Sequence, residues 1–165
     1  MPGRSKAQNA PVAPKWLTAD ELESWLSLVR LITWLPWAME QQLQRDSQLG
    51  VVEYQVLAML SDNPDRTLRM SYLAELTNAS LSRLSHLVKR LEGRGLVRRE
   101  PDPTDGRFTN AILTDAGLEL LTAAAPEHVA HVRSIVVDVL TPEQLRRMAR
   151  DADRITARID RTAIN

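Results

Sequence analysis

Apolar residues first fall into register after Thr18. Leu22, Trp25, Leu26, Val29 and Ile32 recur at the spacing of one helix face, and Thr18 with Glu21 three residues on makes a capping-box start. The pattern predicts a long first helix toward Arg45, kinked at Pro36, where a donor is lost and the ring crowds the preceding turn. A second helix is expected over about 52–61, with Tyr54, Val56, Leu57 and Leu60 inward, stopping before Asp62, Asn63, Pro64 and Asp65. Leu68 and Arg69 suit a very short strand. Ser71 to Leu76 suits a short helix burying Leu73, Ala74 and Leu76, followed by a tight turn at Thr77, Asn78 and Ala79. From Ser80 a fourth helix carries Leu84, Leu87, Val88 and Leu91 on one stripe, with Gly95 as its left-handed stop.

Beyond Gly95 the segments 96–100 (LVRRE) and 108–113 (FTNAIL) read as two strands around PDPTDGR, a loop rich in turn residues, so a hairpin with an extended tip is expected. Thr114 opens a fifth helix, kinked or split near Pro126 and reaching about Val139. A sixth begins at Thr141, Pro142, Glu143 and Gln144, and its apolar face is Leu145, Met148, Ala152, Ile155 and Ile159. The fold class is mostly α with a small β-wing, and there is no internal repeat.

Length and composition then narrow the function. With 165 residues, 44% of them hydrophobic and 25% charged, the chain suits one compact domain with an appended arm. No apolar window reaches membrane-spanning length and the N-terminus lacks an apolar signal core, so a cytoplasmic protein without a membrane partner is expected. The absence of cysteine removes disulfides, thiolate zinc sites and thiol chemistry. Lys plus Arg equals Asp plus Glu, at 21 each, yet residues 66–107 hold nine basic residues against five acidic ones while residues 20–65 hold two against eight. The neutral total hides a basic middle.

That basic middle coincides with a short helix, a tight turn and a longer helix, the arrangement in which the second helix enters the DNA major groove by its N-terminal end. Here that end carries Ser80, Leu81, Ser82, Arg83, Ser85 and His86, with Lys89 and Arg90 further along. Small hydroxyls let the helix approach phosphates and base edges, and Arg83 can grip a guanine through two hydrogen bonds. An ordinary amphipathic helix with a solvated cationic face would carry the same residues. Arg98 and Arg99 at the hairpin base and Arg107 at its tip favour the DNA reading, because a slim loop can carry an arginine into a narrow minor groove. Asp105, two residues before Arg107, can fix the tip by pairing with an arginine or capping the turn.

Residues 73–121, with RLEGRGLVRR (90–99), the D-x-R of Asp105 and Arg107, and LTDAG (113–117), resemble the winged helix-turn-helix of the MarR-type bacterial transcriptional regulators. The resemblance places Ser80, Ser82, Arg83, His86 and Lys89 on the groove-facing part of the recognition helix, with Ser85 beside them. It makes Arg107 the minor-groove arginine, with Asp105 and Arg98 positioning the wing. It implies a winged helix-turn-helix over 50–113, flanked by a dimerisation helix (18–49) and C-terminal dimerisation helices (114–165), after an arm of residues 1–17. The implied function is a homodimeric repressor on a pseudo-palindromic double-stranded operator, released by a small aromatic or phenolic effector. The apolar excess at Ile135, Val136, Val137 and Val139 fits burial against a second subunit.

Trp34, Trp37, Met39, Tyr54 and Met59 are the candidate lining of an effector cleft, and core or dimer packing is the plainer reading of each. His128 and His131 supply two imidazoles and no third ligand, so a solvated or interfacial pair is expected rather than a metal site. The run of arginines 146–161 interleaves with Asp151, Asp153 and Asp160 and reads mostly as interhelical and solvated ion pairs, with DNA contact as the other reading. No phosphate-cradling glycine loop, nucleophile elbow or HExxH motif is present, so neither an enzyme nor a cofactor is expected. Two other functions remain open: a winged helix docking protein through Leu81 and the hairpin, and a ligand-binding protein acting without DNA.

Overall fold

The computed structural model describes residues 14–159, so most of the expected arm, and Asp160 and Arg161 of the arginine run, lie outside the described residues. Among the described residues, those up to Leu35 and those from Pro36 onward form two compact units. Helix α1 (Ala19–Ser47) starts at the expected capping box, in which the Thr18 amide donates to Glu21 Oε2 at 2.8 Å and the Glu21 amide to Thr18 Oγ1 at 3.3 Å. It continues as helix through Pro36. Helix α2 (Val51–Ser61) begins where two carboxylates meet free amides: Glu53 accepts from Gly50 at 3.0 Å and Glu40 from Val51 at 2.7 Å. Acceptors at this end satisfy donors that have no helical partner.

Strand β1 (Thr67–Arg69) leads into α3 (Met70–Leu76), the turn, and α4 (Leu81–Gly93). α3 starts one residue earlier than the sequence suggests. This makes Met70, Leu73 and Ala74 its buried set at i, i+3 and i+4, and leaves Leu76, expected inside, exposed. Asn78 takes φ +50° in the turn, and the Ala79 amide reaches back to the Ala74 carbonyl at 2.9 Å. α4 ends in the same way at Gly95, with φ +72° and the Leu96 amide on the Leu91 carbonyl at 3.0 Å.

Strands β2 (Val97–Pro101) and β3 (Thr109–Leu113) form the expected hairpin. β1 adds a third antiparallel strand, pairing Leu68 with Ala111 and giving the order β1-β3-β2. A three-residue strand carries too little periodicity to announce its partner. The core lies between this sheet and α2, α3 and α4, where Leu57, Leu60, Leu73, Leu84, Val88, Leu91 and Val97 are fully or almost fully buried.

Helix α5 (Asp115–Val132) starts on Thr114, whose hydroxyl accepts from the Gly117 amide at 3.0 Å and donates to the Gly95 carbonyl at 2.7 Å. A Cβ at Gly117 would stand 2.1 Å from the Leu96 carbonyl oxygen, so only glycine lets this helix close on the turn before the wing. α5 passes through Pro126 as continuous helix. It is therefore not split there, and a π-helical turn follows over Arg133–Val137, closed by the Asp138 amide on the Arg133 carbonyl at 2.8 Å. A proline removes one donor without necessarily ending a helix. Helix α6 (Pro142–Thr156) opens on the capping box of Thr141 and Gln144 and buries no residue. Among the described residues its ion pairs are within the helix, Arg147 and Arg154 both with Asp151.

Candidate nucleic-acid interface

α4 presents two chemistries on two faces. Leu84, Val88 and Leu91 are packed inward, and at about 100° per residue the opposite face carries Ser82, His86 and Lys89, all exposed. Arg83 is exposed on the flank toward Arg90, and Ser85 is half-buried on the other flank. Ser80 is the N-cap, and its Oγ accepts from the Arg83 amide at 3.3 Å. The hydroxyl expected to meet DNA thus already serves the helix, and its O–H remains able to donate.

The orientation of α4 is fixed by a carboxylate that sequence reasoning missed. Glu53 of α2 is buried, and it accepts from Arg90 Nη2 at 3.1 Å with Arg94 Nη1 at 3.8 Å. Arg94 also donates to the Gln48 carbonyl at 2.9 Å. A glutamate at the start of an apolar helix reads as a dipole partner, and nothing in the spacing reveals arginines thirty-seven and forty-one positions on. On the other side of α4, Glu92 accepts from Arg99 of β2 at 2.6 Å, which ties the wing's base to the helix and holds the Glu92 carboxyl below its usual range.

The wing tip is organised around Asp102. Although Asp102 stands beside a proline-rich turn, it is buried, and it accepts from the Thr104 hydroxyl at 2.6 Å, the Thr104 amide at 2.9 Å and Arg69 Nε at 2.9 Å. Those bonds, the Thr104 ones foremost, hold its carboxyl well below the ordinary carboxylate range. Arg69 also stacks over the Phe108 ring at 4.8 Å, so β1 grips both edges of the loop. Asp105 accepts from the Arg107 guanidinium at 2.6 Å and from its backbone amide at 3.1 Å. The pairing lowers the Asp105 carboxyl and raises Arg107, while the Arg107 side chain stays 85% exposed. Arg98, expected beside Asp105 as a positioning group, lies on β2 and pairs with Glu100 of the same strand. The ties from wing to scaffold run through Arg69 and Arg99.

Met39, Tyr54 and Met59, three of the five cleft candidates, line a single cavity of about 220 Å³ together with Leu43, Gln55 and His128. Trp37 is 54% exposed on α1, and Trp34, in the other unit, is 61% exposed. His128, expected in a solvated or interfacial pair, is not solvated: it is buried within the chain, with Nδ1 2.9 Å from Gln42 Oε1 and its ring 4.4 Å from that of Tyr54. Tyr54 and His128 pack from different helices, which is why no local spacing links them. No helix among the described residues is long and apolar enough to cross a membrane.

A helix-turn-helix preceded by β1 and followed by the β2–β3 hairpin, the three strands forming one sheet and the hairpin carrying exposed Arg107 at its tip, defines a winged helix-turn-helix protein. The family model described as "MarR family" matches residues 47–107. Sco3205, a MarR family transcriptional regulator from Streptomyces coelicolor solved in complex with DNA, is 46% identical with a TM-score of 0.83, over 87% of this chain and 89% of that one. AbsC, another MarR family regulator from Streptomyces coelicolor, is 38% identical with a TM-score of 0.84, over 87% and 97% of the two chains. Transcriptional regulator HosA of Escherichia coli O111:H- is 36% identical over 74 residues, covering 45% of this chain and 53% of HosA. The chain spans about half the length of that curated relative. The chain belongs to the MarR family of transcriptional regulators.

Proposed function

We propose that the protein is a DNA-binding repressor, and not an enzyme, that acts in the cytoplasm as a homodimer on a pseudo-palindromic operator. The observation that carries this reading is the pairing of two elements. α4 has an outward face of Ser82, His86 and Lys89, flanked by Arg83, and beside it stands a wing whose tip holds Arg107 85% exposed. In this reading Ser80, Ser82, Arg83, Ser85, His86 and Lys89 meet phosphates and base edges in the major groove, and Arg107, oriented by Asp105, enters the minor groove. The similarity to Sco3205, whose structure contains DNA, supports the same assignment.

The homodimer is supported by apolar side chains left in solvent: Leu22, Trp25, Leu26 and Ile32 on α1, and Met148 and Ile155 on α6 are all 38% exposed or more. Faces of this kind are normally covered by a partner. The cavity at Met39, Tyr54 and Met59 is the site of a small aromatic effector, with no other cofactor required. An effector releases operator only through its differential affinity for the two spacings of the reading helices.

Substituting Arg107 with alanine tests the wing assignment. The expected result is operator binding weakened about tenfold or more, with a shallower salt dependence and an unchanged dimer. Unchanged affinity would remove Arg107 from the interface.

A further inference from the structure

His128 is held in one tautomer by a chain of hydrogen bonds that the DNA-binding reading does not use. Gln42 Nε2 donates to Asp46 Oδ2 at 3.0 Å, and the Asp46 carboxyl, kept low by that bond and by Arg45, is an acceptor only. The Gln42 amide therefore turns its oxygen toward His128, where Oε1 lies 2.9 Å from Nδ1. Nδ1 must carry the proton, and Nε2 is left as an acceptor. Burial drives the imidazole toward its neutral form, which keeps it so.

His128 lines the cavity of about 220 Å³, whose other walls include Met39, Met59, Leu43, Tyr54 and the uncharged amide residue Gln55. An apolar cavity near 150 Å³ accepts benzene, so one substituted ring fits. The lining contains no lysine or arginine, and Asp62 adds a carboxylate. An anion entering here would lose its hydration without a cation to meet it. We propose that the cavity binds an uncharged single-ring aromatic whose hydroxyl donates to Nε2 of His128, and that it discriminates against aromatic carboxylates. Gln42 is the positioning residue that sets this preference. The inference rests on the effector site proposed above.

The test is a calorimetric titration of the full chain with p-cresol, p-methylanisole and p-toluate at neutral pH, beside the displacement of bound operator. p-Cresol is expected to bind about tenfold tighter than p-methylanisole, the worth of one hydrogen bond, and p-toluate more weakly than either. In His128→Phe and in Gln42→Met the preference for cresol over anisole collapses while anisole affinity changes little. Thermal melting checks folding, and Gln42→Met carries the test if His128→Phe does not fold. Toluate binding as tightly as cresol, or a preference kept in the variants, overturns the acceptor assignment alone, because an aromatic that displaces operator still leaves an effector site. Binding by none of the three overturns the effector reading as well.

Discussion

The segment from Leu49 to Leu121 and the helices at the two ends of the chain both carry apolar stripes and arginines, yet they bury them differently. In the first, α4 sinks Leu84, Val88 and Leu91, α2 sinks Val56, Leu57 and Leu60, and its arginines are bound to Glu53, Glu92 and Asp102. α6 buries nothing, and α1 buries Gln42 and Leu43 alone in its 29 residues. One region satisfies itself within the chain. The other leaves its apolar stripes exposed within the chain, and in the proposed homodimer its stability would depend on the second subunit and on protein concentration.

That contrast can be broken most severely in the core. Leu91→Ala, at a site with no accessible surface, is expected to cost about 2–5 kcal/mol in chemical denaturation, independent of protein concentration. Leu26→Asp, at a site 48% exposed, should leave the core intact and act on association instead, by about 2 kcal/mol or more, seen as monomer in sedimentation velocity. A monomer that also melted like the Leu91 variant would erase the distinction between the regions. Thr114→Ala removes the cap of α5 and its bond to Gly95, with an expected loss of about 1 kcal/mol in melting experiments. Smallest is a pH effect. The folded-state pKa of His128 lies below the ordinary 6.5, so the unfolded chain takes up its proton first. Stability is therefore expected to fall as pH drops below about 6.5, and the slope should flatten in His128→Phe.

Much of the reading region is legible in the sequence because its signals are local. The capping residues Thr18, Ser80, Thr114 and Thr141, the stop at Gly95 and the stripe of α4 all act within a few positions of themselves. What escaped is long-range. Arg69 meets Asp102 across thirty-three positions and Glu53 meets Arg90 across thirty-seven, and neither pair shares an element. The pairing of β1 with β3 and the burial of His128 against Tyr54 and Gln42 are of the same kind. Asp105 and Arg107, two positions apart, were within reach and do pair. Leu76 shows the limit even of local pattern, since a start shifted by one residue replaced it with Met70.

The central claim, that α4 and the wing read a specific DNA sequence, is tested most directly by titrating the protein against the duplex immediately upstream of its own gene. A shuffled duplex of the same composition serves as control, at two salt concentrations. The account predicts binding about a thousandfold tighter to the native duplex, with affinity falling steeply as salt rises. Equal and weak binding to both duplexes would contradict it.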